Sequence, residues 1–184
     1  LMKLFRYEGY NITISEEALL LKPFQVLWKR DRSQGKQKAL MELGYCYFME
    51  DPRSDYQMYI DRDERSKQIK LGEGFSEDWR PDRAVLDAIT FYASFKSEAA
   101  LLAEDTKASI RNLREYLRTI DLKATDDKGK PIYTLNDYTN AVAKVPKLII
   151  ELDSAEKAIA REITQNDKVR GSQEKSMYED IANQ

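Results

Sequence analysis

The stretch YTNAVAKVPKLIIELDSAEKAIAREI, residues 138–163, decides the fold. Its side chains Tyr138, Val142, Val145, Ile149, Leu152, Ile159 and Ile163 recur mostly at steps of three and four, which places them on one seam of a long helix. Lys144, Lys147, Glu151, Asp153, Glu156, Lys157, Arg161 and Glu162 take the other faces. Such a helix is not stable alone in water and needs a partner of similar length to cover its seam. Upstream, Leu102, Ile110, Leu113, Leu117 and Ile120 form a second seam. Between the two, Asp126, Asp127, Lys128, Gly129, Lys130 and Pro131 make a turn. The pattern predicts a long antiparallel helical hairpin.

Outward from this hairpin, Thr134 and Asp137 have capping-box spacing and start the second long helix. Pro146 lies inside the seam and is expected to kink that helix or divide it. Leu122 with Ile132 and Tyr133 can pair as a small ribbon at the tip. The first hairpin helix is expected from about Ser97 to Ile120, continuous or not with its predecessor. Beyond Asn166 the pattern turns polar, with isolated Met177, Tyr178 and Ile181, and reads as an arm that orders against a partner.

Toward the N-terminus the alternation around residues 3–7 and 10–14 predicts two short strands, as a hairpin or as a strand lent to a neighbouring chain. Ser15 with Glu16 and Glu17 signals a helix start, and that helix should stop near Lys22, before Pro23. Further helices are expected from about Lys36 to Phe48, from Asp61 to Leu71 with Gly72 and Gly74 closing it, and from Pro81 to Phe95. The fold class is mainly α: a helical bundle with a long antiparallel hairpin, minor β at the N-terminus and hairpin tip, and an extended C-terminal arm. One helical domain is drawn over 1–165, comprising an N-terminal strand or arm 1–15, a helical core 16–121, the tip 122–133 and the long helix 134–165. The arm is 166–184.

The 184 residues suffice for one domain, and 7 Gly with 5 Pro leave little turn material, which favours long helices. Eleven Tyr suit wet interfaces, where the ring is buried and the hydroxyl is paired. A net charge of −2 argues against general attraction to nucleic acid. The charge is unevenly placed, however. Lys22, Lys29, Arg30, Arg32, Lys36 and Lys38 form a basic block, and Glu50, Asp51, Asp55, Asp61, Asp63 and Glu64 an acidic one. The two could orient neighbouring subunits, or could be two solvated faces that happen to adjoin. A lone Cys46 leaves no intrachain disulfide framework and suits a reducing compartment. No apolar run approaches the roughly 20 residues of a membrane span, and Leu1 to Gly9 has no signal-peptide pattern.

Chemistry is sparse in this chain. It has no His, which removes the commonest general base and most zinc sites. Cys46, within Tyr45-Cys46-Tyr47-Phe48, reads as a small buried hydrophobe. Asp61, Asp63 and Glu64 lack the central Gly of a calcium loop and read as a charged first helical turn. Gly72-Glu73-Gly74 is too short for a phosphate loop. Trp28 and Trp79 read as packing anchors. No catalytic residue, cofactor or metal is expected.

The run Tyr45 to Ser54, then Tyr59, the charged helix from Asp61 to Lys70 and Trp79-Arg80-Pro81-Asp82, resembles virion proteins of tailed bacteriophages that infect Bacteroidetes, including crAss-like phages. Ile120-Asp121-Leu122, Gly129-Lys130-Pro131-Ile132-Tyr133 and the terminal seam helix are similar to the same group, so the resemblance covers about residues 40 to 163. It implies a non-enzymatic virion component, a head-to-tail connector in the neck between portal and tail. It would be built in the host bacterial cytoplasm and assemble with its own copies into a ring, often twelvefold. Portal and tail proteins are then the partners, with no membrane involved. The interface candidates are Lys22, Lys29, Arg30, Arg32, Lys36 and Lys38, with Asp51, Asp55, Asp61, Asp63 and Glu64, and with Met177, Tyr178 and Ile181 on the arm. Two other readings stay open: a small terminase-like packaging component that contacts DNA through the basic block, and an internal scaffold or cargo protein.

Overall fold

The computed structural model describes the backbone of residues 4–8 and 11–182 and the side chains of residues 4, 5 and 12–165. Within these bounds the protein is mainly α, with seven α-helices, a short 3-10 turn and one two-stranded ribbon. The chain divides into two units, Leu1–Lys96 and Ser97–Gln184, where the sequence pattern drew one helical domain over 1–165. The cut falls where a short turn separates two helices that the pattern left open to fusion.

The first unit begins with β1 (Phe5–Glu8) and β2 (Asn11–Ile14), antiparallel with Phe5 opposite Ile14 and Tyr7 opposite Ile12. The expected hairpin is therefore formed within the chain; Lys3 and Tyr10, also read as strand, lie outside the described residues. Ser15 caps α1 (Glu16–Leu20) by accepting from the Ala18 amide at 3.2 Å. α1 ends before Pro23, as expected, with Leu21 as its C-cap, but a further helix follows that the sequence pattern did not draw. Pro23 sits in the first turn of a second helix, α2 (Lys22–Arg30), where its missing N–H removes no intrahelical bond. α3 (Gln37–Glu50) follows, and every residue from Glu42 to Glu50 is buried. A helix covered on all sides must be central, and α3 packs on α2, on β2, on the 3-10 turn Asp55–Met58, on α4 (Arg62–Gly72) and on α5 (Arg83–Ala93). Gly44 permits the closest approach: a Cβ there would lie 2.6 Å from Ile12 Cδ1 of β2. Pro81, expected at the first helical position, precedes the cap. Asp82 is the N-cap, accepting from the Val85 amide at 3.0 Å.

The core of this unit is aromatic. Phe5, Phe24 and Tyr92 meet edge to face with centroids 5.1–6.0 Å apart, and Phe91 joins through Phe24 at 5.6 Å. Tyr45, Phe75 and Trp79 form a second cluster, with Trp79 4.8 Å from Tyr45 and 4.5 Å from Phe75. Trp79 is thus a packing anchor, as its sequence context suggested, and Trp28 packs at the core's edge. Each fully buried large side chain contributes about 1.5–3 kcal/mol.

The second unit is the hairpin: α6 (Glu98–Thr119) and α7 (Leu135–Ala182). Ser97 caps α6, and Thr134 with Asp137 forms the expected capping box. The Thr134 amide donates to Asp137 Oδ2 at 3.0 Å, and the Asp137 amide donates to Thr134 Oγ1 at 3.2 Å. The ribbon at the tip reduces to one antiparallel bridge, Thr125 with Pro131. It is closed by an Asp126 turn that accepts from the Lys128 and Lys130 amides, with Gly129 at φ 74°. Pro146 neither ends nor divides α7. It is exposed, so the Val142 carbonyl that loses its partner lies on a face open to water. Nor does a separate arm begin at 166; the backbone remains helical to Ala182. The side chains of Met177, Tyr178 and Ile181 lie outside the described residues.

Candidate functional site

Charge is the natural starting point, because the two blocks carried most of the sequence-based interface. The structure sorts them by direction. Of the basic block, Arg30 turns inward: Nη2 lies 2.6 Å from Glu42 Oε1, and Nη1 reaches Asp82 Oδ2 at 2.6 Å. Lys36 closes the α2–α3 turn, its ammonium donating to the Trp28 and Asp31 carbonyls and lying over the Trp28 ring at 5.7 Å. Lys38 lies 3.9 Å from buried Glu42. That leaves Lys22, Lys29 and Arg32 exposed and, among the described residues, outside every ion pair. Asp31, the one acid in this block, accepts from the Ala39 and Ser33 amides. These bonds hold its carboxyl down at about 2.

The acidic block splits the same way. Glu50 is buried between Arg62 and Lys96, with Lys96 Nζ 2.6 Å from Glu50 Oε2. Asp51 is 1% exposed, and its carboxylate takes two guanidinium bonds from Arg53: Nε to Oδ1 at 2.8 Å and Nη2 to Oδ2 at 2.6 Å. The Tyr92 hydroxyl also donates to Asp51, and burial followed by that charge pushes the phenol well above its ordinary range. Asp51, proposed from sequence as an interface residue, is thus an internal clamp with no face to offer. Asp61 is the N-cap of α4, accepting from the Asp63 and Glu64 amides at 3.0 Å each, and these three acids sit at the positive end of the helix dipole. Asp55, on the 3-10 turn, is exposed. Cys46 is fully buried, and that burial pushes its thiol up out of reach of ordinary chemistry.

Asp55 stands at the rim of a cleft of about 560 Å³ between the 3-10 turn and the Gly72–Gly74 turn after α4. Tyr47, Phe48 and Tyr56 form aromatic walls, with Phe48 and Tyr56 edge to face at 5.2 Å. Arg53 lies along the cleft with its guanidinium carbon 5.8 Å from the Tyr47 ring centre, and its charge is already matched by Asp51. The Tyr56 hydroxyl donates to Glu73 Oε1 at 2.8 Å. Gly72 makes that reach possible, since any Cβ there would collide with the Tyr56 hydroxyl. No stretch of sequence marked this cleft, because its walls come from residues 47 to 74 brought together by the fold.

The hairpin offers a second surface. The seam between α6 and α7 keeps most of the sequence reading, with Tyr138, Val145, Leu152, Ile159 and Ile163 half-buried, but it is centred on buried Ala141 and Ala155 and half-buried Leu148. On α6 the buried positions are Ala100, Ala103 and Thr106, followed by half-buried Ile110, Leu113 and Leu117. Leu102, Val142 and Ile149, assigned to the seams from sequence, are corrected to outward positions. Small residues at the seam let the two helices approach closely, and the line runs in steps of three and four through Ala141, Val145, Leu148, Leu152, Ala155 and Ile159. Beside the seam, about 100° round the helix, α7 carries a second apolar line, with Leu135 66% exposed, Val142 41% and Ile149 54%, and Ile150, 65% exposed, lies further round. Leu135, Val142 and Ile149 are seven apart, so each lies within about 20° of the last, and the line extends about 22 Å.

No group of three His, Cys, Asp or Glu side chains suited to a metal occurs among the described residues, and no helix there is long and apolar enough to cross a membrane. No family model, no curated protein and no solved structure matches the chain.

Proposed function

We propose that this chain is a non-enzymatic structural subunit that works by assembling with copies of itself. We place it, on the resemblance of residues 40 to 163, as a ring-forming head-to-tail connector in the neck of a phage particle, between portal and tail. The observation that carries the self-assembly reading is a second apolar line on α7, about 100° round the helix from the seam with α6. A helix with two separate apolar lines is stable when both are covered, and α6 covers one. A ring requires two different patches on each subunit, and the charged surfaces of the first unit add a further patch to this face.

Light scattering across a wide concentration range tests the reading. It requires a discrete large oligomer, alone or on addition of portal protein. Ile149→Asp with Ile150→Asp should reduce that oligomer to monomer while leaving the helix content intact. A monomer under all these conditions would sink the proposal. Lys22, Lys29 and Arg32 also keep alive the packaging reading, which demands DNA binding that falls steeply with salt.

A further inference from the structure

We propose that the cleft between the 3-10 turn and the Gly72–Gly74 turn receives basic side chains from the outer ridge of α2 on a second copy of this chain. This rests on the self-assembly reading and names one of its interfaces.

The cleft has the chemistry for a long cationic side chain. Tyr47, Phe48 and Tyr56 give a lysine or arginine stem an apolar surface, where the methylenes leave water while the charged head stays at the rim. The head finds carboxylates there. Asp55 is exposed, and Glu73 uses Oε1 for the Tyr56 hydroxyl, which leaves Oε2 as an acceptor. Arg53 does not repel such a guest, because Asp51 holds its guanidinium with two bonds and neutralises it. Gly74 has nothing within 4 Å of where a Cβ would stand, so the mouth on that side is open.

The same chain carries the matching surface. Lys22, Val26 and Lys29 follow at steps of four and three on the outer side of α2. Val26 is 46% exposed, and Arg32 comes just past the helix end. Arg30, Lys36 and Lys38, their sequence neighbours, are engaged within the chain. What remains is an apolar residue flanked by cations that join no ion pair among the described residues, opposite in charge to a cleft with aromatic walls and carboxylate rims. Ridge and cleft are different patches, which is the condition for a heterologous, ring-forming contact.

The test uses the full chain in sedimentation velocity. A ridge variant carries Lys22→Glu, Lys29→Glu and Arg32→Glu. A cleft variant carries Asp55→Lys and Glu73→Gln, the latter keeping an acceptor for Tyr56. Each is expected to weaken assembly about tenfold or more, and the chain carrying both sets should recover most of that loss. Assembly at wild-type strength by either variant, or a combined variant no better than each alone, overturns the proposal. All substituted ridge positions and Asp55 are exposed, so the fold should persist by circular dichroism; if helix content falls, the single reversals Lys29→Glu and Asp55→Lys replace the sets. The α7 variant Ile149→Asp with Ile150→Asp separates the two claims. If it dissociates the oligomer while ridge and cleft variants do not, this interface falls and self-assembly stands. If the wild type never assembles, both fall together.

Discussion

The two units of this protein bury their residues in opposite ways. In Leu1–Lys96, large aromatic and aliphatic side chains close on one another, and even charged groups are drawn inside: Glu42, Glu50, Asp51 and Arg65 are all buried. In the second unit the buried side chains among the described residues, 97–165, are small, namely Ala100, Ala103, Thr106, Ala141 and Ala155, and the large ones there remain half or fully exposed. Two helices in contact can cover one stripe on each, whereas a ribbon and five helices can surround a centre. The first unit is therefore finished as a core. The second has apolar surface left over, and that surplus is what self-assembly would use.

If the first unit is finished, removing a piece of its interior should be severe. Asp51→Ala leaves the Arg53 guanidinium and the Tyr92 hydroxyl without the acceptor they share, at a cost of about 3 kcal/mol. Urea unfolding of the monomer should show the loss as a lower midpoint. An unchanged midpoint would mean that these charges are solvated and the interior is looser than the geometry implies.

The next largest effect has the opposite sign and lies in the second unit. Pro146 occupies a helix interior, where proline is disfavoured by about 3 kcal/mol relative to alanine. Pro146→Ala should restore a bond to the Val142 carbonyl and stabilise the hairpin by about 1–3 kcal/mol. Amide hydrogen exchange around residues 142–150 should slow accordingly. Exchange that stays the same would show that the proline has already been accommodated by its surroundings.

How much of this was legible follows from where the signal resides. Local chemistry was readable, because a cap and its target lie three residues apart: Ser15 and the Thr134–Asp137 box formed as their spacing required. The hairpin was readable too, because its period is written in one helix. The centre of its seam was not. Ala141 and Ala155 carry too little hydrophobicity to stand out, while Val142 and Ile149 carry enough to mislead. α2 was missed because Pro23 was read only as the end of α1, which does stop before it, and not also as the start of a new helix. The direction of a charge is the hardest property to read, since Lys29 and Arg30 are adjacent in sequence yet one meets water and the other Glu42. The cleft was invisible for the same reason: its walls lie far apart along the chain.

A smaller effect tests one such inward charge. Asp31 is held at about 2 by the Ala39 and Ser33 amides, below its ordinary 3.8. A depressed carboxyl stabilises the fold above its unfolded value and loses that contribution as pH falls through about 2. Acid titration of thermal stability should therefore show a component between about pH 4 and 2 that Asp31→Asn removes. A profile identical in the variant would assign the acid sensitivity of the first unit elsewhere.

The smallest expected change in stability is the most informative about the second unit. Ile149→Lys replaces an apolar side chain on the outward face of α7. An exposed substitution of this kind shifts monomer stability by no more than about 0.5 kcal/mol. Leu152→Ala, three residues further on and half-buried in the seam, should cost about 1–2 kcal/mol. The pair of measurements, made on monomer in dilute solution, separates a face that holds the hairpin together from one that does not. If Ile149→Lys costs as much as Leu152→Ala, the outward face is already covered within the monomer, and the surplus on which self-assembly depends is spent. If it costs nothing while assembly at higher concentration is lost, then the apolar line from Leu135 to Ile150 serves association and not folding.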